Sequence, residues 1–205
     1  YMRIPKVREL GEAVRSLFSR PATIDYPYKP AKVPERFRGR PKFVEEDCIG
    51  CGACAQVCPA RAIDVIDTVE GRSGERRMVV HHDHCIFCGQ CHRYCTTREG
   101  IILTNEFETG TFDRTQSVST VEKPLVICQE CGEPIATRDQ LRWVAERLGP
   151  KAYGNMGLAL TLSQGLRIAA PDDRGPGRAI DRGDNVSVRC PKCRREVIIY
   201  ELWGP

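Results

Sequence analysis

Residues 48–59 read Cys48-Ile49-Gly50-Cys51-Gly52-Ala53-Cys54-Ala55-Gln56-Val57-Cys58-Pro59. Three cysteines at three-residue intervals let one loop wrap three corners of a metal–sulfur centre, and a fourth cysteine followed by proline points away from them. A shift of thirty-seven residues superposes Cys48, Cys51, Cys54 and Cys58 on Cys85, Cys88, Cys91 and Cys95, and carries Ile49 onto Ile86 and Gly52 onto Gly89. The chain therefore contains an internal repeat.

The spacing is that of bacterial-type ferredoxins, in which the fourth cysteine of each run serves the cluster of the other half. This pattern assigns Cys48, Cys51, Cys54 and Cys95 to one 4Fe-4S cluster, and Cys85, Cys88, Cys91 and Cys58 to a second. Gly50, Gly52 and Gly89 lack a Cβ, so the backbone can approach inorganic sulfur and offer N–H donors to it. Pro59 stiffens the turn after Cys58. The second run departs from the pattern, because Thr96 follows Cys95 where proline is expected. His81, His82, His84 and His92 crowd the second run, but with eight thiolates available they read as surface or second-layer residues.

The other four of the twelve cysteines form two C-x2-C knuckles, Cys128 with Cys131 and Cys190 with Cys193. Four thiolates in a tetrahedron are the expected structural zinc site, and a rubredoxin-like iron uses the same geometry. Closing so long a span with a metal would help a region poor in aromatics. Every cysteine falls in a short-spaced group, and residues 1–20 lack the continuous apolar stretch of a secretion signal. Both features favour metal ligation in a reducing compartment over a disulfide framework.

The rest of the composition bounds the architecture. The chain has 205 residues, 41% hydrophobic and 28% charged, with 18 Gly and 14 Pro, as expected for one or two globular domains with generous loops. No apolar run approaches the length needed to cross a bilayer. The formal charge of +4 is too small to argue for nucleic acid, and thiolate-ligated metal sites would reverse its sign. The knuckles carry no basic, aromatic-interleaved stripe either.

The expected fold is α+β, a ferredoxin domain with two 4Fe-4S clusters over 42–108, preceded by an N-terminal segment 1–41 and followed by a zinc-ribbon-like region 109–205. Ala62-Ile63-Asp64-Val65-Ile66 and residues 78–80 read as a hairpin turning at 70–74, with Ile101-Ile102-Leu103 as the matching strand. Residues 3–20 suggest a basic amphipathic helix, packed on its own domain or docking on a membrane surface or partner, and the proline-rich 21–41 an extended strap. Thr137 to Gln140 reads as a capping box opening a helix with Leu141, Val144, Ala145 and Leu148 on one side, stopped by Gly149-Pro150. Residues 151–185 read as a long loop or insertion.

The succession Tyr26-Pro27, Phe37-Arg38-Gly39-Arg40-Pro41, Cys48-Ile49-Gly50-Cys51 and His84-Cys85-Ile86-Phe87-Cys88-Gly89 resembles the two-cluster ferredoxin subunit shared by respiratory complex I and group 4 membrane-bound NiFe hydrogenases. The trailing knuckles, with Pro134-Ile135-Ala136 after the first, are more similar to the formate hydrogenlyase type. The resemblance implies a non-catalytic, peripheral subunit on the cytoplasmic side of the membrane. Its two clusters would relay single electrons between a donor module (formate dehydrogenase, CO dehydrogenase or ferredoxin) and the NiFe site of partner subunits. A complex I subunit with quinone-reductase partners is the nearest alternative, and a metal-stabilised regulatory or nucleic-acid-binding protein is the alternative of another class. No nucleophile–base pairing, P-loop or dinucleotide fingerprint points to substrate chemistry on the chain itself.

Overall fold

The computed structural model describes residues 7–21, 23–166, 168 and 182–203. The chain divides into two compact units, 1–37 and 38–205. The first holds α1 (Val7–Phe18), in which no residue is buried. Its apolar positions Val7, Leu10, Val14, Leu17 and Phe18 are all exposed, and Arg8 pairs with Glu12 one turn on. The helix expected over 3–20 is thus present from residue 7 to residue 18, and residues 3–6 lie outside the described residues.

The second unit is built on two sheets. β1 (Pro41–Phe43) pairs antiparallel with β4 (Ile101–Leu103). β2 (Ile63–Glu70), β3 (Ser73–His81), β5 (Val118–Ile127) and β6 (Pro134–Thr137) form a four-stranded sheet in the order β2-β3-β5-β6. The hairpin is longer than its apolar alternation suggests, because β2 is an edge strand whose residues after Ile63 are exposed. It turns tightly, with Glu70 opposite Ser73 and Gly71 at φ 62°, a left-handed conformation that glycine adopts without Cβ strain. Residues 101–103 are a strand as expected, but they pair with 41–43 and not with the hairpin. β5 has no counterpart in the sequence reading, and its inward side chains Val121 and Leu125 are buried. The core joins the two sheets through Phe43, Ile63, Met78, Val80, Ile101 and Val121, with Cys48, Cys54 and Cys91 among them.

Short helices carry the cysteine runs: α2 (Ala53–Gln56) and α3 (Gln90–Arg93). α4 (Arg138–Leu148) begins where expected, Thr137 accepting the Gln140 N–H at its hydroxyl. Part of the expected loop 151–185 is ordered as helix: a 3-10 turn at Gly149–Gly154 and α5 (Met156–Gly165), capped by the Asn155 side chain. The side that α5 buries is marked by Leu158 and Thr161. Residues 169–181 of that expected loop lie outside the described residues. A 3-10 turn, Arg182–Val186, leads to α6 (Pro191–Trp203). The second knuckle therefore opens a helix, with Pro191 at the first helical position where its missing N–H costs nothing, whereas a zinc ribbon would place it on a β-hairpin.

Candidate iron–sulfur and metal centres

The backbone of the two cysteine runs repeats more faithfully than the sequence does. Gly52 and Gly89 stand at φ 76° and 77° as the residues opening α2 and α3. At the position of Gly50 (φ 64°) the second run has Phe87 at φ 54°, and Arg61 (φ 50°) has its counterpart in Arg98 (φ 72°). Arg61 N–H donates to Cys58 O at 3.2 Å and Arg98 N–H to Cys95 O at 3.1 Å. A left-handed conformation costs a non-glycine residue about 1–2 kcal/mol, so its recurrence at Phe87 and at both arginines means that each loop path is fixed by the structure around it.

The loops fold their cysteines into two apolar cavities. Cys48, Cys51, Cys54 and Cys95 line one, with walls from Phe43, Met78 and Ile101. Cys58, Cys85, Cys88 and Cys91 line the other, with walls from Ile63, Val80 and Leu103. The last cysteine of each run thus stands with the first three of the other. Among the described residues no carboxylate or imidazole lines either cavity.

Burial pushes the Cys54 thiol up to about 12, reinforced by the neighbouring sulfurs of Cys48, Cys51 and Cys91. Cys91 rises to about 11, chiefly through burial. Cys48 and Cys85 are also raised by burial, opposed by the N–H groups of Gly50 and Phe87. At Cys95 burial acts the same way, but the Thr97 hydroxyl and the N–H groups of Thr97, Gly100 and Arg98 outweigh it and hold the thiol low. Sulfurs this crowded cannot all ionise without a cation among them, and the donor set, thiolates alone in a dry cavity, is the one iron–sulfur cubanes use. The cavities fit such groups.

The histidines stay outside. His81 pairs with Asp64 at 3.0 Å, His92 Nδ1 lies 2.9 Å from Ile101 O, and His84 is 3.9 Å from Asp83. His82 is buried, with its Nδ1 lacking a hydrogen-bond partner.

The four remaining cysteines meet at a third place, with their sulfurs all within 4.8 Å of one another. Cys128 follows β5, and its N–H bonds Glu133 O at 2.9 Å across the knuckle turn. Cys190 and Cys193 sit at the start of α6, and Cys190 N–H donates to the Cys128 sulfur at 3.3 Å. Burial raises Cys128, but N–H groups of Cys131, Cys190 and Glu130 overcome it and bring the thiol down to about 7, while Cys131 and Cys193 are raised, first by burial. Arg189 clamps the second knuckle to the first, reaching Glu130 at 3.0 Å and the buried Asp184 at 3.2 Å.

Thr97, Lys123 and Arg76, beside the first cavity, escaped the sequence reading, which marked Thr96 only as the residue standing where proline is expected. Thr96 and Thr97 place hydroxyls 3.2 Å from the Cys51 sulfur and 3.4 Å from the Cys95 sulfur; the missing proline was their only signal. Lys123 and Arg76 reach the 45–50 loop from β5 and β3, and nothing local in the sequence marks them.

Comparison with known proteins agrees with this geometry. Residues 31–98 match the 4Fe-4S dicluster domain family. The chain is homologous to formate hydrogenlyase subunit 6 of Escherichia coli K12, 28% identical over 175 residues, which is 85% of this chain and 82% of that protein. It is also homologous to NAD(P)H-quinone oxidoreductase subunit I of Gloeobacter violaceus, 35% identical over 119 residues, covering 54% of this chain and 56% of the relative. NADH-quinone oxidoreductase subunit 9 of Thermus thermophilus is 43% identical over 63 residues, 28% of this chain and 35% of its own length. The chain thus spans most of the first relative and about half or less of the other two.

Proposed function

We propose that this homologue of formate hydrogenlyase subunit 6 is the electron-relay subunit of a membrane-bound, energy-converting hydrogenase. The observation that carries the reading is the exchange of last cysteines between two apolar, thiol-lined cavities. Cys48, Cys51, Cys54 and Cys95 hold one 4Fe-4S cluster, and Cys85, Cys88, Cys91 and Cys58 the other. When bound, the clusters supply one-electron chemistry with little rearrangement. The chain's own residues do the rest. Met78, Val80, Ile63 and Ile101 exclude water, the Gly50 and Phe87 N–H groups donate to sulfur, and the interleaved strands keep the two centres in one rigid body.

Cys128, Cys131, Cys190 and Cys193 hold a structural Zn(II) that ties α6 to the end of β5. The 175-residue alignment, which must extend well beyond the cysteine runs, favours the hydrogenlyase type over the complex I type. Among the described residues no helix is long and apolar enough to cross a membrane. The chain is then a peripheral subunit on the cytoplasmic face, held by NiFe-bearing and membrane subunits, with the apolar side of α1 as a docking arm.

Metal and acid-labile sulfide analysis of the complex purified anaerobically from native membranes tests this reading. About eight Fe, eight sulfide and one Zn per chain beside nickel-containing subunits is the expected result. The same metals beside quinone-reductase subunits would assign the chain to a complex I assembly, and zinc without sulfide would refute electron transfer.

A further inference from the structure

Two ion pairs address the loop of the first cysteine run, and both point the same way. Lys123 donates to Glu45 O at 2.6 Å and pairs with Asp139 at 3.0 Å. Its methylenes lie so close to Gly50 that a Cβ there would come within 3.2 Å of them. Arg76 donates through Nη1 to Gly50 O at 3.1 Å while Nε and Nη2 grip Asp67, each at 2.7 Å.

In each pair the cation is the more buried member. The side chain of Lys123 is 10% exposed against 34% for Asp139, and that of Arg76 16% against 25% for Asp67. The positive ends therefore act through protein on the loop, and the negative ends lie where water screens them.

The second cavity has a weaker counterpart. Arg38 donates to Cys88 O at 3.2 Å but is exposed to solvent. Among the described residues Lys123 is the one lysine that is buried. The two hydroxyls near sulfur, from Thr96 and Thr97, also belong to the first cavity.

We infer that Lys123 and Arg76, helped by Thr96 and Thr97, make the centre held by Cys48, Cys51, Cys54 and Cys95 the stronger electron acceptor of the two. This rests on the two-cluster reading above. One electron enters from the reduced partner subunit, no bond forms or breaks, and the site gains one negative charge. A fixed, desolvated cation stabilises that added charge, so the electron rests on this side of the subunit.

The test is a redox titration of the anaerobically purified complex, following both cubane signals by electron paramagnetic resonance. Lys123→Met is expected to lower the midpoint of one signal by a factor of at least ten in its reduction equilibrium, which is about 59 mV for one electron, and to leave the other in place. Lys123→Arg restores it. Asp139→Asn, which removes the outer charge and leaves Lys123 in place, shifts the same signal upward, and Thr96→Val identifies it by a smaller downward shift. A packing role cannot produce opposite signs from the two members of one pair. Equal shifts of both signals, no shift in either, or a downward shift with Asp139→Asn would overturn the inference. A complex lacking two cubane signals would overturn the two-cluster reading itself, and this inference with it.

Discussion

Gly50→Ala separates backbone strain from crowding at the first cysteine loop. The residue stands at φ 64°, so any side chain there incurs about 1–2 kcal/mol. A Cβ would also meet Thr137 Cγ2 at 2.9 Å and Lys123 Cβ and Cγ at 3.2 Å. Neither neighbour can yield easily, since Thr137 is fully buried and hydrogen-bonded to Ile49 O, and overpacking of this kind adds about 1–3 kcal/mol. Gly52→Ala is the matched control: its φ is 76°, but its nearest neighbour, Val65 Cγ2, is 3.7 Å away, so only the strain of about 1–2 kcal/mol applies. The assay is the rate of loss of iron–sulfur absorbance in fixed guanidinium under anaerobic conditions. Gly50→Ala should lose its chromophore about tenfold or more faster than Gly52→Ala, a factor of ten for each 1.4 kcal/mol expressed in the barrier. Equal rates for the two variants would refute the claim that the β5–β6 side grips this loop.

Other consequences follow from the same contacts. Cys54→Ser should damage one cubane signal and Cys91→Ser the other, with Cys128→Ser leaving both largely intact in electron paramagnetic resonance. Arg189→Leu removes the cation that joins Glu130 to the buried Asp184 and should loosen the C-terminal site, seen as loss of the metal proposed for it at a chelator concentration the parent protein withstands. In the metal-free chain, thiols raised to about 12 at Cys54 and about 11 at Cys91 stay protonated when folded and ionise near their ordinary value when unfolded. Their contribution is therefore complete below about pH 8.5 and lost as pH rises toward 11–12; a denaturant midpoint that stays level from pH 8.5 to 11 would contradict it. Thr137→Val removes both the cap of α4 and the bond to Ile49 O and should lower stability by about 1–2 kcal/mol, measured as a denaturant midpoint.

The sequence was most legible where chemistry forces spacing. The three groups of four cysteines that converge in space could be named from the cysteine intervals together with the ferredoxin pattern in which each fourth cysteine serves the other half, and α4 from Thr137 and its apolar side, because capping and helical periodicity are local. β5 was not legible: Lys123 and Pro124 break its alternation, and what makes it a strand is pairing with β3, seven residues long in register from Glu75 opposite Pro124 to His81 opposite Val118. The same non-locality hid Lys123 and Arg76, whose relevance to Gly50 depends on two strands that meet only in the fold. Val197-Ile198-Ile199-Tyr200 reads equally well as strand or helix, and it is the helical start at Pro191, fixed by the knuckle, that settles it as α6. Phe87 is the opposite lesson, a residue whose left-handed backbone no propensity suggests and only the repeat could have indicated.

The exchange of last cysteines also constrains how the protein can be made. A ribosome adds about 5–20 residues per second, and the wall of the first cavity that Cys95 provides does not exist until the whole second run has been synthesised. Neither set of four thiols can be completed on a nascent first half, because one waits for Cys91 and the other for Cys95. A premature stop anywhere before Cys91 would leave neither set of four thiols complete, so the two runs work only as a single unit.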